Sequence, residues 1–181
     1  MKRAPLPAID TARLRLRRVE RADLSDLLAI NGDAAVTQFL PYATWQSMAD
    51  ASAWYERMTG LVESGEATEQ WVIVQRTSAR VIGTCLLFRL DAASGQAEIG
   101  YVLGREWWGQ GLMAEALRVF VAAAIEHFVL RRLEAHIDPL NLASARLLER
   151  LGFERGVEAG HYFTARASTP PPAPRARPRA L

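Results

Sequence analysis

The stretch from Glu98 to Glu115, EIGYVLGREWWGQGLMAE, decides the fold. Its first part alternates like a strand, with Glu98, Gly100 and Val102 on one face and apolar side chains on the other. The chain then turns through Gly109-Gln110-Gly111 and enters a helix directly. The first amides of a helix lack an intrahelical partner and the helix dipole adds positive charge, so this junction can hold a pyrophosphate. Glycines also occur where a strand simply bends into a helix, and both interpretations stand at this point.

Two common phosphate-binding patterns are excluded. The G-x-x-x-x-G-K-[ST] loop needs a lysine after its second glycine, and Lys2 is the only lysine of the chain. The G-x-G-x-x-G pattern fails as well, because Ala114 stands where the third glycine would be. The preceding strand also belongs to a predicted meander and not to a βαβ unit.

The periodicity of the rest of the chain predicts the order β-α-α-β-β-β-α-β-α-β. Short turns join the three central strands, which indicates an antiparallel meander. The predicted fold class is α+β, with a mixed, mainly antiparallel sheet flanked by helices. The predicted strands are Thr11 to Arg18, Gln70 to Arg76, Arg80 to Leu90, Gln96 to Leu103, Arg132 to Ile137 and a piece that begins at Phe153. The predicted helices are Asp23 to Ile30, Ser47 to Val62, Gly111 to Phe128 and Leu142 to Leu151.

The composition is that of one globular domain: 181 residues, 50% hydrophobic and 23% charged. The single cysteine excludes an internal disulfide. No apolar run reaches the roughly 18 residues of a membrane span, and no secretory leader is recognisable, so we expect a cytoplasmic protein. We predict a domain over 1–166 and a disordered Pro/Arg-rich tail over 167–181. The net charge of +2 depends on arginines of that tail, which argues against nucleic-acid binding.

Two runs together resemble a known superfamily. IGYVLGREWWGQGLMAEAL, from Ile99, and RLEAHIDPLNLASARLLERLGF, from Arg132, resemble the GNAT superfamily of acetyl-CoA-dependent N-acetyltransferases. More narrowly, they are similar to its bacterial ribosomal-protein N-terminal acetyltransferase branch. The opening run TARLRLRRVERADL, from Thr11, also matches that branch, so the resemblance extends to Phe153. It implies a sheet that splays between its fourth and fifth strands.

The resemblance also implies a binding site for coenzyme A. The family's Q/R-x-x-G-x-G/A loop falls on Trp108 to Met113, with Gly111 as the first fixed glycine and departures at both ends. The amides of Gln110 to Ala114 would hold the pyrophosphate, and Tyr101 to Leu103 would pair with the pantetheine arm. The residues that the resemblance assigns to the cofactor are Tyr101, Val102, Leu103, Trp108, Gly109, Gln110, Gly111, Leu112, Met113, Ala114, Asn141 and Ser144.

Catalytic roles follow from the same resemblance. Asn141 and Ser144 match the family's N-x-x-S, in which the Asn contacts pantetheine and the hydroxyl lies near the thioester sulfur; an Asn N-cap is the compatible structural interpretation. Many relatives carry a proton-donating Tyr where this chain has Leu148. Ser144 or a water would therefore protonate the departing thiolate. Glu98 resembles the glutamate that acts as the catalytic base in many relatives. The alternative is that Glu98 is an exposed strand residue without a catalytic role.

The implied activity is transfer of the acetyl group of acetyl-CoA to a primary amine, with a protein N-terminus as one candidate acceptor. The alternatives are a small amine, such as a polyamine, an antibiotic or an amino-acid analogue, and a non-catalytic acyl-CoA-binding module. We expect no metal, because His127, His136 and His161 are too scattered along the chain and Cys85 is mid-strand.

The C-terminal part departs from the family pattern. Glu154 to Arg166 can supply one short strand and part of a hairpin, so the final strand of the sheet is predicted to be missing or altered. An open sheet edge invites pairing with another chain. We therefore predict a homodimer or a destabilised monomer.

Overall fold

The computed structural model describes residues 5–64 and 69–164 of the chain. The predicted tail over 167–181 lies outside these residues. The strands are β1 (Ile9–Asp10), β2 (Leu14–Arg18), β3 (Glu69–Gln75), β4 (Val81–Asp91), β5 (Gln96–Leu103), β6 (Arg132–His136), β7 (Phe153–Arg155) and β8 (His161–Thr164). The helices are α1 (Leu24–Asn31), α2 (Ala34–Thr37), α3 (Met48–Glu63), α4 (Leu112–Phe128) and α5 (Leu142–Arg150). The two-residue β1 and the one-turn α2 were not predicted, since both are too short to show a period.

The strands form one sheet in the order β1-β2-β3-β4-β5-β6-β8-β7. All neighbours are antiparallel except β5 and β6, which run parallel. This confirms the predicted mixed, mainly antiparallel sheet flanked by helices. β3 and the first half of β4 are buried without interruption, because their continuous apolar runs are covered on both faces of the sheet.

The sheet splays between β5 and β6. Their pairing covers only Gln96–Arg132, Ala97–Leu133 and Glu98–Glu134, so the strands diverge from Ile99 onward. β5 and β6 are the fourth and fifth of the strands predicted from the sequence, because β1 was not predicted, so the predicted splay is confirmed. It leaves a V-shaped opening in the sheet, which we call the cleft, with the Glu98–Glu134 pair at its apex.

Helices cover the two faces of the sheet with separate apolar cores. On one face α4 packs through Phe120 against Trp71 of β3, with ring centroids 5.7 Å apart, and α5 joins the same core through Leu148. Cys85 of β4 is fully buried in that core, where burial raises the pKa of its thiol. On the other face α1 and α3 pack over Val72 and its neighbours.

The C-terminal hairpin corrects the prediction of a missing strand. β8 is only four residues long, but it pairs with β6, and β7 pairs with β8 in turn. The strand could not be recognised from HYFT, because so short a run shows no convincing alternation. The edge of β6 is therefore covered by β8. The homodimer was predicted from an open edge at this place, and it stays a prediction that this observation no longer supports.

None of the helices that the structure describes is long and apolar enough to cross a membrane.

Candidate active site

The turn before α4 exposes backbone amides, as predicted. Gly109 and Gly111 have φ of 73° and 74°, in the left-handed region that favours glycine. Gly111 is the N-cap of α4, and no side chain among the described residues caps the amides that follow it. These amides are free to bind an anionic group, and the helix dipole favours one there.

Arg13 of the β1–β2 connection also lies at this turn, and the sequence analysis missed it. Its Nη1 donates to the carbonyl of Gln110 at 3.0 Å, and its Nε lies 2.6 Å from Oε2 of Glu115. Burial alone would raise the pKa of Glu115, but hydrogen bonds from Thr11 and Arg13 lower it overall. The alternation of TARLRLRR marked Arg13 only as a residue of the solvent face. The structure places its cation beside the turn, near the position where the family pattern has Gln or Arg and this chain has Trp108.

A cavity of about 450 Å³ runs from this turn into the cleft. Every predicted cofactor residue lines it except Gln110, whose carbonyl faces Arg13. The lining residues from the predicted set are Tyr101, Val102, Leu103, Trp108, Gly109, Gly111, Leu112, Met113, Ala114, Asn141 and Ser144. Trp108 fixes the turn to the end of β5, because its indole donates to the carbonyl of Leu103 at 2.8 Å. The remaining lining comes from Trp107, from α5 and from the segment of α2 and the residues that follow it.

The first turn of α5 holds Asn141 and Ser144 beside the cavity. The Oδ1 of Asn141 accepts a hydrogen bond from the Ser144 amide at 3.1 Å, which is the expected N-cap. That bond leaves the amide NH2 of Asn141 as its donor to a ligand. Leu148, at the position of the tyrosine of many relatives, is fully buried.

Tyr101 brings a buried hydroxyl to the same place. The group makes no hydrogen bond within the part of the chain that the structure describes. Burial raises the pKa of Tyr101 to about 12, and the neighbouring Ser144 hydroxyl, although not in hydrogen-bond geometry with it, partly offsets that rise. The side chain is therefore neutral at physiological pH.

Glu98 lies at the apex of the cleft, on the face opposite α4. It is only 8% exposed, which excludes the alternative of a surface strand residue. Its Oε2 accepts a hydrogen bond from Arg89 at 2.7 Å, and its Oε1 lies 3.2 Å from Nδ1 of His136. Glu98 does not line the cavity itself.

His136 and His161 are not scattered in space, which corrects the sequence analysis. The β6–β8 pairing sets them opposite each other, and their rings stack at 4.6 Å with an interplanar angle of 4°. With Glu134 they form a group whose ligand atoms lie within 4.8 Å. An imidazole binds a metal through a lone pair in its ring plane, and two parallel, separated planes cannot direct both lone pairs at one ion. We therefore assign no metal to this group.

A turn of bare amides beside a splayed sheet, with a cavity joining them, is the arrangement of a transferase that binds an acyl group on coenzyme A. The GNAT acetyltransferase domain pattern matches residues 13–154 of the chain. The N-acetyltransferase p20 of Bacillus licheniformis, whose function is uncharacterised, is 34% identical over 145 residues, which are 80% of this chain and 81% of that protein.

Solved structures show the same fold. RimL, a ribosomal L7/L12 α-N-protein acetyltransferase solved with coenzyme A, superposes with a TM-score of 0.75 at 19% identity, over 88% of this chain and 98% of RimL. A spermidine N-acetyltransferase from Vibrio cholerae, solved with coenzyme A and spermine, superposes with a TM-score of 0.70 at 18% identity, over 84% and 93% of the two chains. The protein belongs to the GNAT acetyltransferase family, and acetyl-CoA is its co-substrate.

Proposed function

We propose that this enzyme acetylates the N-terminal amine of a polypeptide. The observation that carries the proposal is the lining of the cavity, in which Arg150 is the only charged residue and no carboxylate is present among the described residues. The lining contributed by α2 and the segment after it is mostly apolar: Ala35, Val36, Gln38, Phe39 and Leu40. A chain end with one amine suits such a site. The carboxylates at the apex, Glu98 and Glu134, lie outside this lining and are already paired with Arg89 and Arg132, so a polyamine would have to leave its further charges without partners.

The roles that the resemblance implies for the cofactor residues are compatible with their places in and beside the cavity. The amides from Gln110 to Ala114 bind the pyrophosphate, with Arg13 adding positive charge beside the turn. The exposed edge of β5 after Ile99 offers backbone groups to the pantetheine arm, which adds to the sheet like a short strand. The thioester then lies at the apex of the cleft, near Asn141 and Ser144.

The chemistry needs one proton removed and one supplied. The acceptor amine must be neutral before it attacks the thioester carbonyl. Glu98 belongs to the group of side chains that removes the proton from its ammonium form. The tetrahedral intermediate then collapses and the thiolate leaves, taking a proton from Ser144 or from a water beside it. The direct attack in a ternary complex requires no covalent enzyme intermediate, and Cys85 is buried away from the cavity.

Two alternatives remain as outcomes of the test. The structural likeness to a spermidine acetyltransferase supports a polyamine acceptor only at the level of the fold. The non-catalytic module was motivated by a missing final strand, and β8 supplies that strand.

The test is a mass-spectrometric screen for a gain of about 42 Da, the mass of an acetyl group, on equimolar peptides and polyamines with acetyl-CoA. We expect peptides with a free N-terminus to be acetylated and their N-terminally blocked copies to be inert. Gly111→Val, which puts a β-branched residue at positive φ, should weaken coenzyme A binding in the same preparation. Preferential acetylation of spermidine would refute the acceptor assignment, and cofactor binding without any product would support the non-catalytic module.

A further inference from the structure

We infer that His136, held by Glu98, is the base that takes the proton from the acceptor amine. This inference rests on the proposed amine acetylation. It differs from the assignment by resemblance, in which the carboxylate of Glu98 is itself the base.

His136 lies on the side of the apex where the cleft opens, outside the lining of the cavity itself. The parallel pairing of β5 and β6 ends at Glu98–Glu134, and His136 is the last residue of β6, on the diverging side of that pair. Leu133 and Ala135 point into the core under α4, so Glu134 and His136 face the opposite side of the sheet with Glu98. The side chain of His136 is 45% exposed, while that of Glu98 is 10% exposed. Of the two, the imidazole is the group that a substrate can reach.

Both oxygens of Glu98 are already engaged. Oε2 accepts from Nη1 of Arg89 at 2.7 Å, and Oε1 lies 3.2 Å from Nδ1 of His136. Arg89 reaches this face because β4 has an irregular register after Phe88, where Arg89 adopts a φ of 51°. Positive φ is unfavourable for an arginine and is maintained here by the surrounding strands. The structure therefore fixes the carboxylate as a holder of the ring rather than as a group open to substrate.

The contact with Glu98 decides which nitrogen of His136 can act as a base. A lone pair on Nδ1 would be repelled by a carboxylate oxygen at 3.2 Å, so the neutral ring carries its proton on Nδ1. Nε2 then holds the lone pair. The parallel stack on His161, at 4.6 Å, keeps the ring plane fixed.

Charged groups from four strands surround the ring. Glu98 and Arg89 come from β5 and β4, Glu134 from β6 and His161 from β8. Arg132 of β6 lies 2.8 Å from Glu134 and offsets its charge. Arg89 offsets the charge of Glu98 in the same way, but Oε1 of Glu98, 3.2 Å from Nδ1, is the carboxylate oxygen in direct contact with the His136 ring.

The proton transfers balance. The ammonium R–NH3+ gives one proton to Nε2 of His136, which becomes an imidazolium beside Glu98. The neutral amine attacks the carbonyl carbon, a C–N bond forms, and the C–S bond breaks. The second nitrogen proton is lost as the thiolate gains one by way of Ser144 or a water, and His136 returns its proton to solvent.

The test compares His136→Asn with His127→Asn. Asparagine keeps a donor for Glu98 but has no basic nitrogen. His127 is the control because it lies on α4, which covers the opposite face of the sheet from Glu98 and His136. A general base contributes about 10²–10⁴-fold to a rate. We expect His136→Asn to lower kcat/KM for the peptide acceptor at least about 100-fold and to remove the ascending limb of the pH profile, with coenzyme A affinity unchanged by calorimetry. Added imidazole should restore part of the turnover of His136→Ala. His127→Asn should match the wild type.

A second measurement does not depend on activity. Imidazole ¹⁵N NMR of the wild type should show the neutral His136 ring with its proton on Nδ1, and Glu98→Gln should weaken that preference. A proton on Nε2, or an unchanged pH profile in His136→Asn, would overturn the inference. An inactive wild type with the expected tautomer would instead count against the proposed function and leave the ring geometry supported.

Discussion

At the scale of single residues, two partly buried tyrosines, Tyr42 and Tyr101, differ in what their hydroxyls contact. Tyr42 donates to Oδ1 of Asn31 at 2.8 Å, whereas Tyr101 makes no hydrogen bond among the described residues. Burial raises the pKa of each phenol to about 12. A buried polar group without a partner loses its hydration and gains nothing in return.

We expect Tyr101→Phe to raise the free energy of unfolding by about 1 kcal/mol, because it removes an unsatisfied hydroxyl. Tyr42→Phe is the matched control and should lower it by about 1 kcal/mol, since it breaks a bond and strands Asn31. Urea denaturation of both variants measures the sign of each change in the free energy of unfolding. Equal losses would mean that the Tyr101 hydroxyl has a partner, such as a buried water.

At the scale of elements, the connection between β1 and β2 is tied to the start of α4. Thr11 donates to Glu115 at 2.6 Å, and Arg13 contacts both Glu115 and the carbonyl of Gln110. One carboxylate thus joins the N-terminal strands to the turn that binds the cofactor.

This tie predicts a pH dependence of stability. The folded-state pKa of Glu115 is below the ordinary glutamate value of 4.5, so its stabilisation is complete above that value and is lost as the pH falls through the folded pKa. The difference in unfolding free energy between wild type and Glu115→Gln should be constant near neutrality and shrink below 4.5.

Urea titrations over a pH series check the prediction. Arg15→Gln on β2 is the control, because the Arg15–Asp10 pair is exposed, 4.0 Å apart, and should matter little at any pH. A Glu115→Gln difference that stays constant into the acid range would contradict the assignment.

How far the sequence predicts these elements depends on their length and on the range of their contacts. The strong apolar period from Ala116 to Phe128 predicted α4, and the glycines before it predicted the turn. The contacts of Arg13 could not be predicted, because they join residues about a hundred positions apart. The His136–His161 stack depends on the register of β8, a strand too short to recognise.

At the scale of the whole molecule, the C-terminal hairpin closes the sheet and positions the apex of the cleft. Ile137 donates its amide to the carbonyl of Gly160 at 2.9 Å, directly beside the His136–His161 pair. A Cβ on Gly160 would lie 2.1 Å from the Ile137 carbonyl oxygen, so the approach of the two segments requires glycine.

Gly152 provides a matched comparison. It also has positive φ, 85° against 80° for Gly160, but a Cβ there would meet nothing within 4 Å. Gly152→Ala should cost about 1 kcal/mol for backbone strain alone, and Gly160→Ala about 1–3 kcal/mol more for the clash. If the Gly160→Ala variant still folds, its turnover should also fall, because the clash shifts β8 relative to β6. Equal melting temperatures for the two variants would show that the hairpin can move without cost.

The burial of Cys85 has a practical consequence. It is the one thiol among 181 residues and is completely inaccessible in the folded protein. A colorimetric disulfide reagent added to a reaction will therefore register liberated coenzyme A against a silent background. The same reagent, used without substrate, modifies a chain only when the interior between β4 and α4 opens. At reagent concentrations where modification is faster than reclosing, the labelling rate reports the kinetic lifetime of the native state.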